Sequence, residues 1–257
     1  MSAEPDGLAA FPPESDRYRA RLILLHGLWT APGIWRAVAL AFAHRGWWCE
    51  APNLRVDGGG LESWQGAAGA AIELGDRPAI AIGYDLGALV ALELASCGQV
   101  EAAIAIAPPL DGLGRALGWG SRLGARLGVG PVAPPALGHA WLDPGPGARP
   151  GLAVAAFLCP ESAALIASCR GRALQPRALR APVLLADQAS DPMASRSLMQ
   201  ITAAGLEADF DVLPGGRLPM LAARIDAWVS VLQRWLVRRL GPELLLLRGD
   251  EDLVEDA

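Results

Sequence analysis

The feature of this sequence that most constrains its fold is an alternation between short apolar segments and longer segments with helical periodicity. The apolar segments have the length and near-continuous hydrophobicity of strands buried on both faces. Six segments are predicted as strands: Ala20–Leu28, Trp47–Asn53, Arg77–Asp85, Val100–Pro109, Ala181–Gln188 and Ala208–Gly216. Strands that alternate with helices form a mostly parallel sheet covered on both faces, so the sequence predicts an α/β fold.

Helical spacing is found in four segments: Pro32–Gly46, Leu61–Gly75, Leu86–Gly98 and Leu221–Leu240. The last of them is the most clearly amphipathic. Its apolar residues recur every three to four positions, at Leu221, Ile225, Trp228, Leu232 and Trp235. This pattern predicts a closing helix that packs one face against the sheet.

The alternation stops between residues 111 and 180, a segment rich in Gly and Pro. We predict a single domain, 1–257, with a core at about 19–110 and 181–240 and a cap insertion at about 111–180. The insertion follows a strand end, where α/β folds place ligands, and a flexible cap over a pocket is one interpretation. A poorly ordered connector is the other. The tail, 241–257, has acids at five of its last eight positions and is predicted to be disordered.

Composition excludes several partners. The net charge is −5, from 22 basic and 27 acidic residues, and no basic cluster offers a nucleic-acid surface. No apolar stretch approaches the roughly 20 residues of a membrane span, and the first residues do not resemble a signal peptide. The four cysteines lack metal-ligand spacing. We therefore expect a cytoplasmic protein with free thiols, no metal and no cofactor; its lack of lysine suggests a GC-rich bacterial genome. The oligomeric state stays open.

A motif lies where the third predicted strand meets its helix. The segment "GYDLG", Gly83–Gly87, has the form G-x-S-x-G with Asp85 in place of serine. In that motif the central residue sits on a sharp strand-to-helix turn, and the flanking positions leave no room for side chains. The two glycines are kept here, so the turn is predicted to be intact.

With three further motifs, the chain resembles the α/β-hydrolase superfamily over about residues 19–240. The other motifs are "LLHGLW", "ADQASDP" and "LPGGRLPML". The resemblance implies an α/β-hydrolase fold, a mostly parallel sheet with helices on both faces and a short flexible cap. It places Asp85 at the nucleophile position, Asp191 at the position of the acid and Arg217 at that of the histidine.

The resemblance also implies an oxyanion hole, formed by the backbone N–H groups of Leu28 and Leu86. Four residues are expected to line the pocket: His26, Gly27, Trp29 and Tyr84. For His26 a structural role under the oxyanion loop is favoured over a catalytic one.

The substitutions limit the chemistry. A serine mechanism is excluded at Asp85, which has no hydroxyl. Haloalkane dehalogenases and epoxide hydrolases of this fold use an aspartate nucleophile, but their ester is hydrolysed by water that a histidine activates. Arg217 stays protonated and cannot act as that base; His139, in the cap, is a weak alternative. A dehalogenase needs a tryptophan for its halide, a role open to Trp29.

Three hypotheses remain. The first is a catalytically silent or accessory member that binds a small, mostly apolar molecule. The second is a lyase, isomerase or cyclase acting on a carbonyl compound, with Asp85 or His26 moving a proton. The third is an aspartate-nucleophile hydrolase. In the second hypothesis Arg217 would hold an anionic group. Arg217 is separately expected to bridge Asp85 and Asp191; the alternative is a helix cap at Asp85 and a solvent-facing Arg217.

Overall fold

A computed structural model describes residues 9–55, 59–110, 131–132, 158–169, 178–188, 195–214 and 225–241. Over these residues the chain forms a seven-stranded sheet in the order β1-β3-β2-β4-β5-β8-β9 and a separate two-stranded sheet, β6-β7. The large sheet is parallel except for β1, which pairs with β3 in antiparallel fashion. This is the α/β fold with a mostly parallel sheet that the alternating pattern predicted.

The strands are β1 Ala9–Phe11, β2 Arg21–Leu25, β3 Trp48–Ala51, β4 Ala79–Tyr84, β5 Ala102–Ile106, β6 Pro131–Val132, β7 Glu161–Ser162, β8 Val183–Gln188 and β9 Asp209–Leu213. The α-helices, numbered over the described residues, are α1 Arg36–His44, α2 Leu61–Glu73, α3 Leu86–Cys97, α4 Ala163–Ser168, α5 Arg196–Leu206 and α6 Ile225–Leu240. A 3₁₀ turn, Pro32–Trp35, leads into α1. No helix in these parts of the chain is both long and apolar enough to cross a membrane.

The period of two along β2 divides its side chains between two hydrophobic cores. Ile23 and Leu25 belong to the core that also holds residues of α2, α3 and α5. Leu22 and Leu24 belong to the core that holds residues of α1 and α6. Both faces of the strand are therefore buried, which explains its continuous apolar sequence.

A buried ion pair lies where β2 begins. Arg21 pairs with Glu50 of β3, and both side chains are largely shielded from solvent. Arg21 also donates to the carbonyls of Ala71, at 3.2 Å, and Ile72, at 2.5 Å. These carbonyls belong to the last turn of α2, so the arginine adds a donor at the end of the helix while keeping its charge paired.

The structure adds elements that the apolar pattern did not predict. They are the edge strand β1, helix α5, and the cap pieces β6, β7 and α4. The six predicted strands are present but shorter than predicted, and the closing helix is described from Ile225 onward. The division into core and cap stays a prediction, and the acidic tail lies beyond the described residues.

Candidate functional site

Asp85 occupies the turn that joins β4 to α3. Its φ is 53° and its ψ is −118°, a backbone conformation that residues with a Cβ rarely adopt. The Asp85 N–H donates to the Ile106 carbonyl at 2.9 Å, and the Ala88 N–H donates to the Asp85 carbonyl at 3.0 Å. The side chain is 2% exposed. It stands at the N-cap position but makes no capping hydrogen bond, so the helix-cap interpretation is wrong.

Close packing explains the glycines around this turn. A Cβ on Gly83 would lie 2.1 Å from the carbonyl oxygen of Gly87, and a Cβ on Gly87 would lie 2.3 Å from that of Leu25. A Cβ on Gly27 would lie 2.7 Å from the Cβ of Asp85. Backbone atoms cannot move aside to relieve such contacts, so the loop after β2 and the Asp85 turn fit only with glycine at all three positions.

The predicted oxyanion donors lie on the two segments that meet here. Leu28 follows Gly27 in the loop, and Leu86 follows Asp85 as the first residue of α3. Both side chains are buried. The structure thus places both residues beside Asp85, while the convergence of their N–H groups on a ligand oxygen stays a prediction.

His26 is fully buried, and both of its ring nitrogens are engaged. Nδ1 lies 3.1 Å from the Gly27 carbonyl oxygen, and the Leu54 N–H donates to Nε2 at 3.2 Å. This pattern fits a neutral ring with its proton on Nδ1. Burial, aided by the positive charge of Arg55, lowers the pKa of His26 to about 3. The ring therefore holds the loop in place and has no free nitrogen for proton transfer.

Trp29 joins the loop after β2 to the residues Val132, Cys159 and Glu161. Its φ is 56°, and hydrogen bonds of its backbone and its indole ring hold it. Its N–H donates to Oε1 of Glu161 at 2.6 Å, and its indole Nε1–H donates to the Val132 carbonyl at 3.2 Å. The Cys159 N–H donates to the Trp29 carbonyl at 2.9 Å. Because the indole N–H already has an acceptor, the role of halide ligand does not fit Trp29.

Arg55 and Glu161 form an ion pair beside Trp29. Nη2 of Arg55 contacts Oε1 of Glu161, whose side chain is 2% exposed, and Nη1 contacts the Cys159 sulfur. Burial raises the pKa of Glu161 to about 7 against the opposing effect of Arg55, and the negative charge of Asp85 raises it further. Burial also raises the pKa of the Cys159 thiol. A second ionisable carboxyl group thus lies within electrostatic reach of Asp85.

A cavity of about 160 Å³ adjoins this pair, lined by Arg55, Trp64, Glu161, Ser162 and Leu165 among others. Trp64 and Leu165 supply apolar wall, and the other three supply polar groups. A dry cavity of about 150 Å³ is large enough for benzene. The site can therefore hold a single ring or a short chain.

Two serines fix the helices that form the cavity wall. The Leu165 N–H donates to Oγ of Ser162 at 3.0 Å, which caps α4. The Leu61 N–H donates to Oγ of Ser168 at 3.0 Å, so a residue of α4 caps α2, which begins after a glycine. Satisfying these N–H groups ties the cap piece to the core helix.

The comparison with protein families decides the identity of the fold. The model of the alpha/beta hydrolase family matches residues 22–231, which is most of the chain. The protein belongs to the alpha/beta hydrolase family. A comparison with curated proteins found no match.

Solved structures of this α/β-hydrolase's relatives agree on the fold. A monoacylglycerol lipase from Paleococcus ferrophilus superposes with a TM-score of 0.70 at 18% identity, covering 91% of this chain and 98% of the lipase. An enol-lactonase from Burkholderia xenovorans LB400 superposes with a TM-score of 0.66 at 14% identity, covering 90% of this chain and 96% of the lactonase. A soluble variant of monoglyceride lipase from Saccharomyces cerevisiae gives 0.67 at 12% identity, covering 91% of each chain. At these identities the likeness concerns the fold alone.

Several predicted site residues of this α/β-hydrolase lie outside the described residues, namely Asp191, Arg217 and His139. Tyr84 is described: it ends β4, is buried, and has its ring beside Gly27. All four cysteines are free thiols. Among the described His, Cys, Asp and Glu side chains, no group of three or more is arranged to hold a metal ion.

Sequence reasoning missed Arg55 and Glu161. Arg55 had a usable signal, since it follows the end of a parallel strand, the edge at which such folds bind ligands. Glu161 had none, because its hydrogen-bond partner Trp29 is 132 positions away along the chain.

Proposed function

We propose that this α/β-hydrolase-fold protein is a catalytically silent or accessory member of its family that binds a small, mostly apolar molecule beside Asp85. The observation that carries the proposal is the Asp85 turn. Its backbone has the strained geometry that presents a nucleophile, with φ at 53°, yet the side chain is a buried carboxylate without a hydroxyl. A serine mechanism has no attacking atom at this position.

The remaining triad-equivalent positions belong to the same proposal. Asp191 and Arg217 stand where the family places its acid and its histidine, and Arg217 bridges the two aspartates. In this arrangement the pocket keeps its shape and its charge balance but has no histidine to activate water.

The second hypothesis, proton transfer by His26 in a non-hydrolytic enzyme, loses support from the geometry. Both ring nitrogens of His26 take part in hydrogen bonds with the backbone, and its low pKa keeps the ring neutral. Asp85 remains as the proton carrier in that hypothesis.

One observation favours the aspartate-nucleophile hydrolase as a second candidate. Glu161 is buried within electrostatic reach of Asp85, and its pKa is raised to about 7. A carboxyl group with a pKa near neutrality can exchange protons with water at physiological pH. Its ion pair with Arg55 opposes this role, because the arginine makes the carboxylate a weaker base.

Hydrolysis assays separate these candidates. We expect p-nitrophenyl esters and epoxides to be turned over no faster by the wild type than by Asp85→Asn. A fluorophosphonate probe should leave residue 85 unlabelled. Asp226→Asn, which changes an exposed carboxylate of α6, is the matched control.

The contrary result is turnover that Asp85→Asn abolishes and Asp226→Asn preserves, with an ester on Asp85 detected by mass spectrometry. It would establish the aspartate nucleophile and refute the silent member. Loss of that turnover in Glu161→Gln, with the ester now accumulating, would identify Glu161 as the base.

A further inference from the structure

In the cavity lined by Arg55, Trp64, Glu161, Ser162 and Leu165, the two carboxylate oxygens of Glu161 differ in their hydrogen bonds. All described hydrogen bonds of the Glu161 carboxylate fall on one oxygen, Oε1, which accepts from the Trp29 N–H and from Arg55. The other oxygen, Oε2, has no hydrogen-bond partner among the described residues. A carboxylate that is 2% exposed and lines a cavity therefore retains unused acceptor capacity.

The charges around the cavity point the same way. Arg55 is the positive partner of Glu161, and both of its terminal nitrogens are already engaged, by Glu161 and by Cys159. The charge of Asp85 acts on Glu161 as well. Arg55 is thus already paired within the protein, and the charge of Asp85 adds negative potential at Glu161, which disfavours an anionic ligand and favours a donor or a cation.

The apolar part of the cavity wall determines the size and the apolar character of the ligand. Trp64 offers an aromatic surface and Leu165 an aliphatic one, and about 160 Å³ accommodates roughly one six-membered ring. A molecule of this size has room for one polar substituent.

We propose that the cavity binds a ring-sized apolar molecule that carries one neutral or cationic hydrogen-bond donor, an alcohol or an amine, and that Glu161 accepts from this donor. The proposal rests on the proposed ligand-binding function and names its ligand class. Glu161 is then the residue that determines specificity, and Trp64 and Leu165 hold the ring.

Four probes of nearly equal shape test the proposal: toluene, benzyl alcohol, benzylamine and benzoate. Binding to the full chain is measured by calorimetry and ligand-detected NMR at about pH 8, above the Glu161 pKa of about 7. A hydrogen bond to a charged group is worth enough for about a tenfold gain in affinity. We expect benzyl alcohol and benzylamine to bind about tenfold more tightly than toluene, and benzoate more weakly than toluene.

Variants locate the effect. Glu161→Gln should remove most of the preference for benzylamine and leave toluene binding unchanged. Glu73→Gln makes the same chemical change at an exposed position of α2 and should alter nothing. Leu165→Phe, which fills the cavity, should weaken all three neutral or cationic probes together. Circular dichroism checks that each variant is folded. The comparison of the four probes on the wild type tests the proposal even if a variant does not fold.

Each other outcome has a definite meaning. Equal affinity for toluene, benzyl alcohol and benzylamine overturns the donor preference but leaves ligand binding in the cavity intact. Selectivity that survives Glu161→Gln overturns the role of Glu161. Preferred binding of benzoate, or binding that Leu165→Phe does not affect, overturns the inference. Binding of none of the four overturns the inference, whereas the proposed function is decided separately by the hydrolysis assays.

Discussion

At the scale of single residues, His26 and Asp85 show that a residue of a catalytic type need not act in catalysis once its surroundings are considered. His26 stands in the family's "HG" motif, yet its ring is locked between the Gly27 carbonyl and the Leu54 N–H. Asp85 stands at the nucleophile position but offers a carboxylate. The sequence favoured a structural role for His26 over a catalytic one, and its contacts support that role.

The titration of His26 follows from these contacts. Since its pKa is lowered to about 3 by burial, its ring should stay neutral at every pH at which the protein is functional. We expect the His26 Cε1–H resonance to keep its chemical shift between about pH 5 and pH 8. The chain has three histidines, so a His26→Gln variant assigns the signal. A resonance that titrates near pH 6.5 would show a solvated ring and return His26 to the list of proton carriers.

At the scale of elements, the packing of the β2 loop against the turn between β4 and α3 determines the site. Gly83 and Gly87 permit this approach, and the hydrogen bond from the Asp85 N–H to the Ile106 carbonyl at the end of β5 supports it. The site is therefore built mainly from backbone geometry, which tolerates side-chain replacement at position 85 but not added volume beside it.

Adding one methyl group should test this packing. Gly87→Ala places a Cβ 2.3 Å from the Leu25 carbonyl oxygen and 2.4 Å from that of His26. Because these atoms belong to a buried strand end, we expect a loss of about 3 kcal/mol in unfolding free energy. Gly66 lies on α2, and a Cβ added there would meet no atom within 4 Å. Gly66→Ala should therefore stabilise the protein by about 0.5–1 kcal/mol. Urea unfolding compares the two, and a tolerated Gly87→Ala would contradict the close approach.

At the scale of the whole molecule, two buried groups couple stability to pH in opposite directions. Glu161 has its pKa raised from 4.5 to about 7, so its contribution is fully present below pH 4.5 and is lost as the pH rises to about 7. His26 has its pKa lowered from 6.5 to about 3, so its contribution is present above pH 6.5 and is lost as the pH falls. Between pH 4.5 and pH 6.5, a rise in pH therefore lowers the unfolding free energy through Glu161 and raises it through His26.

Removing one of the two groups should expose the slope of the other. The Glu161 shift corresponds to a loss on the order of 3 kcal/mol between about pH 4.5 and pH 7. We expect unfolding free energies of Glu161→Gln to rise more steeply than those of the wild type across this range. Absolute stability also changes because Arg55 loses its partner, so the slope is the measured quantity. Glu73→Gln should reproduce the wild-type slope, and an identical slope in Glu161→Gln would refute the coupling.

The fold was predictable because its information is local. The apolar segments at β2, β4, β5 and β8 are buried on both faces, and each was visible as a continuous run. Strand β1 was missed because three residues among acids and prolines carry no periodicity, and its pairing with β3 arises only in the sheet. Helix α5, Arg196–Leu206, was missed because only Met199 and Ala203 of its residues are fully buried.

The site was predictable in part, for the same reason. The motif around Asp85 predicted the turn, whereas the expectation that His26, Gly27, Trp29 and Tyr84 line the pocket stays a prediction. The Arg55–Glu161 pair joins residues 106 positions apart, and no local pattern encodes such a contact. The positions of Asp191 and Arg217 stay predictions.

The hydrogen bonds of Trp29 bear on the order in which parts of the protein fold. Its bonds to Val132, Cys159 and Glu161 close chain loops of 103, 130 and 132 residues. Closing such loops costs entropy that is reduced only when the intervening strands have already paired. Assembly of the cavity is thus the expected last step of folding, and local opening there would leave the sheet intact.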